Sequence, residues 1–158
     1  MWKRPSQSTM TLMLMTGSAQ VDAERAFVRA SRARRRAAIV RRLRRRTADN
    51  GRLAVFDERA LRSSRAGGGI AEIPVGAIRA TLEPSKTHQF DGAFRPAGAA
   101  RSRWERLWMA EHRGQTLPPI SVVRIGDTYA VRDGHHRVSV AAARGALTID
   151  AVVDLAQA

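Results

Sequence analysis

Five consecutive residues, Asp133-Gly134-His135-His136-Arg137, place an acid, a glycine, two of the chain's four histidines and an arginine in one turn. The apolar-leaning run Tyr129 to Arg132 precedes them, and a small-residue helical pattern, Val138 to Arg144, follows and closes at Gly145. A turn that opens a helix presents unpaired backbone N–H groups and about half a positive charge, which together make an anion site. Gly134 lets the backbone approach a ligand closely or take a positive φ. Histidine and arginine donors add charge-assisted hydrogen bonds to phosphate oxygens, and Arg137 can make two at once. Two other readings compete. A histidine near a helix start often caps the helix or packs into a core, and Asp133, His135 and His136 are each possible metal ligands. Adjacent residues rarely turn both side chains onto one ion, and no His-x-x-x-His pair occurs, so no metal site is expected.

The elements that must position this turn can be read on either side of it. Ile120 to Ile125, a Gly126-Asp127 turn and Thr128 to Arg132 alternate as a two-strand hairpin. Ile149 to Leu155 reads as a closing strand. Upstream, Ile70 to Ile78 suggests a short strand and a turn, and Thr81 to Pro96 is polar and loop-like. Arg101 to Arg113 carries Trp104, Leu107, Trp108 and His112 at helical spacing, with Gly114 as the stop. The two tryptophans are expected in packing rather than in base stacking.

Composition separates this region from what precedes it. Residues 1 to 50 hold 13 Lys and Arg against three acids, a net of +10, and the remaining 108 residues carry the other +4 of the total +14. Val21 to Arg46 lacks proline and glycine, has acids at its start and arginines at its end, and is expected to be a helix with only a narrow apolar stripe. Arg52 to Arg65 suggests a short second helix, and Arg65 to Gly69 a flexible linker. The expected organisation is a basic, mainly helical extension at 1–66 and an α+β domain at 70–158. No cysteine is present, which excludes disulfides, thiolate metal sites and cysteine nucleophiles. No segment has the length of apolar chain that a membrane span needs, and the expected location is cytoplasmic.

The series Ile73-Pro74, polar loop, helix, Leu117 to Val122, hairpin, Asp133 to Gly145 and final strand resembles the N-terminal domain of the ParB and sulfiredoxin superfamily over about residues 72 to 155. In ParB proteins a G-x-x-x-P-I-x-V segment leads to a hairpin that ends in a Gly-Glu-Arg-Arg turn and an alanine-bearing helix. Gly114, Pro118 to Val122 and Gly134 to Arg137 fill those places here. The resemblance implies a small mixed sheet with helices and a nucleotide, CTP, ATP or ADP, bound with Mg²⁺. Asp133, Gly134, His135, His136 and Arg137 would hold phosphates, and Pro118, Pro119 and Ile120 would lie near the base. Where sulfiredoxins carry their catalytic cysteine this chain has His135, so that chemistry is excluded. The Asp-Gly-His-His-Arg spelling is similar to that of free-serine kinases, which need an acid after the first strand. Glu83 is the nearest candidate for a base, with Ser85 and His88 as candidate phosphate or substrate contacts from the same loop.

Two functions therefore stand side by side: a ParB-like nucleotide-binding module, and a small-molecule kinase or NTPase that uses the same turn. ParB proteins continue into a helix-turn-helix domain that this sequence does not contain, so contact with DNA is expected to be non-specific. It would run through Arg34, Arg35, Arg36, Arg41, Arg42, Arg44, Arg45 and Arg46 to backbone phosphates. The competing reading of those arginines is a solvated helix face.

Overall fold

The computed structural model describes residues 17–44, 51–59, 61 and 69–156. The fold is α+β, built on one mixed six-stranded sheet. In chain order the main elements are α1 (Ala19–Arg44), β1 (Ala54–Val55), β2 (Ile70–Pro74), β3 (Ile78–Thr81), α2 (Arg101–His112), β4 (Ile120–Ile125), β5 (Thr128–Asp133), α3 (His135–Ala143) and β6 (Thr148–Leu155). The strands lie in the order β1-β3-β5-β4-β6-β2. β1, β3 and β5 run parallel, and β5 returns antiparallel to β4 across the Gly126-Asp127 turn, where Gly126 takes φ +59°.

The helices stack outward from the sheet, and α3 is the hinge of the stack because its side chains serve two layers. Val138 enters the main core with Ile78, Phe90, Phe94, Ile120, Val122 and Val131. Val140, two residues and therefore about 200° further round the helix, turns to a second cluster with Trp104, Trp108, Phe27 and Ala23. Trp104 is completely buried and its indole N–H donates to Ser139 Oγ at 2.9 Å. Both tryptophans are thus packing residues, as their spacing predicts.

Two expectations change, and the one for α1 is filled in. Arg52 to Arg65 does not begin as a helix: Ala54–Val55 is a strand beside β3, and the Phe56 N–H bonds the Thr81 carbonyl at 2.9 Å. The reason is the outer edge of β3, whose backbone groups need partners, together with Leu53, which is 2% exposed in the main core. The C-terminal helix starts at His135 rather than Val138, which puts the histidines and Arg137 inside its first turn. The narrow stripe of α1 is used: Phe27 meets Trp104 edge-on at 5.5 Å between ring centres, so α1 forms part of the core's outer layer. Most of the expected linker, and Arg45 and Arg46, lie outside the described residues.

The polar loop after β3 is held by its own interior. Phe90 and Phe94 are buried in the main core, and the carboxylate of Asp91, 4% exposed, accepts the N–H groups of Ala93 and Arg95. A 3₁₀ turn, Pro84–His88, stands on that base.

Candidate functional site

Gly134 caps α3 with φ +104°. A Cβ at this position would lie 2.5 Å from Ile120 Cγ2, so both the backbone angle and the space demand glycine. Glycine supplies no side-chain cap, and the first bond of the helix runs from the Val138 N–H to the Gly134 carbonyl. The N–H groups of His135, His136 and Arg137 are left over at the helix start.

The histidines do not project as charged donors. His135 is 2% exposed, and its Nε2 sits 2.7 Å from Thr81 Oγ1, which also accepts the Glu83 N–H at 2.9 Å. One hydroxyl therefore joins the end of β3, the loop that carries Glu83 and the first residue of α3. His136 is also buried and meets Phe90 edge-on at 5.1 Å. Burial pushes both histidines down to about 4; for His135 the Glu83 carboxylate works against this and Lys86 with it, and for His136 Arg103 and Lys86 add to it. Both rings are neutral at physiological pH.

Arg137 is engaged within the protein. Its guanidinium donates to the carbonyls of Pro118 and Pro119, at 2.5 and 2.8 Å, and to Asp133 Oδ2 at 2.6 Å. It straps the entry of β4 to α3, which fixes the wall of the site rather than presenting a free fork. Ile120, 1% exposed, is the floor beneath Gly134.

A cavity of about 190 Å³ opens on this turn. Asp133 to Arg137 line it together with Pro118 and Glu83, so the candidate base and the candidate phosphate turn share one space. Burial alone would raise the Glu83 carboxyl, but the Ser85 hydroxyl at 2.9 Å and the Lys86 ammonium at 3.5 Å outweigh it and hold Glu83 below the ordinary carboxylate value. Lys86 and Arg103 complete the wall, with Leu107. Sequence reading missed these two cations. Lys86 carried a signal, being one of two lysines in an arginine-dominated chain; Arg103 lay on a helix read for its tryptophans. A second cavity, of about 290 Å³, includes Pro118 and Arg137 in its wall and continues past Leu117 to Glu72, Glu111 and Asp150.

His88 is not at this site. It lines a different cavity with Arg34, Arg35 and Arg41. Arg36, Arg42 and Arg44 are exposed on α1.

No family model and no curated protein matches the chain. Among solved structures it is similar to the sulfiredoxin from Arabidopsis thaliana, with 21% identity over 54% of this chain and 83% of that one and a TM-score of 0.40.

Proposed function

We propose that the chain is a nucleotide-binding module that holds its ligand's phosphates at the start of α3. The observation that carries this reading is the convergence of two cations from separate elements, Lys86 from the 3₁₀ turn and Arg103 from α2, on a cavity that also meets the uncapped first turn of α3. An anion there gains both charges, the leftover N–H groups and the positive end of the helix. The cavity of about 190 Å³ suits a di- or triphosphate tail more than a whole nucleotide. The neighbouring cavity beyond Pro118 would take the nucleoside, with Leu117 against the base and carboxylates within the wall to accept from amino or hydroxyl groups. CTP, ATP and ADP all satisfy that division. Mg²⁺ is usually bound through phosphates and one or two carboxylates, and Glu83 and Asp133 are the carboxylates available in the wall. The ion would supply neutralisation of phosphate charge.

The test is a melting-temperature panel of CTP, ATP, ADP and GTP with Mg²⁺, since a ligand at 100 times its dissociation constant stabilises by about 2.7 kcal/mol. Calorimetric titration of Lys86→Ala and Arg103→Ala with the best ligand follows. Loss of a charge-assisted bond costs about 1.5 to 3 kcal/mol, so each variant should bind about 10- to 100-fold more weakly while its circular dichroism stays unchanged. No stabilisation by any of the four, or unchanged affinity in both variants, would remove the reading.

The enzyme reading rests on Glu83, which stands in the phosphate cavity with its carboxylate kept ionised. A positioned base contributes about 10² to 10⁴ in rate, so Glu83→Gln should abolish nucleotide consumption and leave binding nearly intact. Wild-type protein that consumes no nucleotide with serine or other small hydroxyl acceptors is a binding module without chemistry. Association with nucleic acid rests on α1, where no acid follows Glu24 and Arg35, Arg36, Arg42 and Arg44 are exposed. Such binding would be non-specific and strongly weakened by salt.

A further inference from the structure

We infer that a second anion site, separate from the α3 turn, lies between α1 and the far side of the Pro84–His88 turn, and that it takes a run of adjacent phosphates. A cavity of about 400 Å³ opens there. Arg34, Ala38 and Arg41 fall within about 60° of one another around α1, because residues spaced by three, four and seven return to the same face. They look into this cavity beside Arg35, and Arg52 and His88 face them from the other wall. The cavity therefore has two walls from different parts of the chain, which a solvated helix face does not.

Among the described residues Arg34, Arg35 and Arg41 have no hydrogen bond or ion pair, and Arg34 Nε is buried with no acceptor. The carboxylate in the wall, Asp91, is already occupied by the N–H groups of Ala93 and Arg95 and by the Arg95 guanidinium at 3.4 Å. A buried guanidinium donor without an acceptor is costly, and an anion would relieve it. Several guanidinium groups around one cavity need several negative charges close together, and their planar forks match phosphate oxygens two at a time. A chain of phosphates supplies both, whether it is a free polyphosphate or the backbone of a single strand of nucleic acid.

The site adjoins the first one without sharing its ligating side chains. Thr87 and His88 face the cavity of about 400 Å³ from the same short turn whose Lys86 faces the cavity at the α3 turn. Phe90 lines the former and packs on His136 of the latter.

The experiment uses the full chain with inorganic tripolyphosphate by calorimetry, and a labelled single-stranded oligonucleotide by fluorescence anisotropy, at several salt concentrations. Arg34→Ala, Arg41→Ala and His88→Ala are compared with Arg25→Ala and Arg32→Ala, which remove the same charge from the opposite face of α1. Arg34→Ala and Arg41→Ala should each weaken binding at least tenfold, His88→Ala less, and the two controls no more than about twofold. The losses caused by Arg34→Ala and Arg41→Ala should be the same size in a Lys86→Ala background, which separates this site from the nucleotide reading. Binding of tripolyphosphate alone assigns the site to a free polyphosphate, and binding of the oligonucleotide alone assigns it to a strand. Equal losses from both faces of α1 would overturn the site in favour of diffuse helix charge, as would no binding of either probe. Equal competition by polyglutamate of matched charge would overturn the assignment to phosphate.

Discussion

Trp104→Ala should lower the stability of the chain by about 3 to 5 kcal/mol, the usual cost of emptying a fully buried indole site. Trp104 is 0% exposed and stands where three helices meet: Phe27 of α1 edge-on at 5.5 Å, Val140 of α3, and Ser139 as acceptor of its N–H. The substitution removes the packing of all three and leaves the Ser139 hydroxyl without its partner, with no nearby chain to fill the space because α3 is already committed to the sheet through Val138. Urea unfolding should show the fall in midpoint with little change in slope. Trp104→Phe separates the two causes, retaining most of the packing and losing the hydrogen bond for about 1 kcal/mol. A loss below 1 kcal/mol in Trp104→Ala would mean that α1, α2 and α3 are not stacked as described. The same contacts bear on truncation: deleting residues 1 to 50 uncovers Trp104 and Trp108, so the remainder should be less stable than the whole chain, in spite of the composition break between them.

That last point marks where the sequence could be read and where it could not. Alternation and the Gly126-Asp127 turn give the β4–β5 hairpin directly, because strand period and turn chemistry are local. Trp104 and Trp108 announce a packed face by their spacing for the same reason. β1 has no local signature: two residues become a strand only because the edge of β3 is there to be paired. The apolar stripe of α1 is visible in the sequence, but not which of its residues pack: Phe27 is buried with Ala23, whereas Ile39 and Leu43 of the same stripe are exposed. At the site, Gly134 and the residues after it are legible as a strand-to-helix turn. Their division of labour is not, since whether an arginine meets a ligand or two proline carbonyls depends on where β4 enters. Lys86 and Arg103 converge only in three dimensions, across 17 positions of sequence that fold back through Phe90 and Phe94.

Acid should unfold the chain well above the range where carboxylates titrate, and the histidine pair is the reason. His135 and His136 sit at about 4 in the folded chain, from an ordinary value of 6.5, because burial disfavours their charged forms. The unfolded chain therefore binds more protons than the folded one between those values, and stability falls as pH drops from 6.5 towards 4. At pH 5 unfolding should take up nearly two protons, a slope of about 2 kcal/mol per pH unit, and the full loss is of order 3 kcal/mol for each ring. The two losses are not independent, because the rings share Phe90 and would repel each other when charged. Glu83 contributes in the same direction but only below its ordinary 4.5, so the window from 6.5 to 5 belongs to the histidines. Urea midpoints across that window measure the slope, and His136→Phe, which keeps a ring against Phe90, should halve it. A flat profile from 6.5 to 5 would mean that the rings are protonated in the folded chain and the buried site is wrong. If phosphates occupy the start of α3, their charge opposes the effect of burial on both rings. The stabilisation given by nucleotide should then grow as pH falls through this window, and a ligand effect independent of pH would place the phosphates elsewhere.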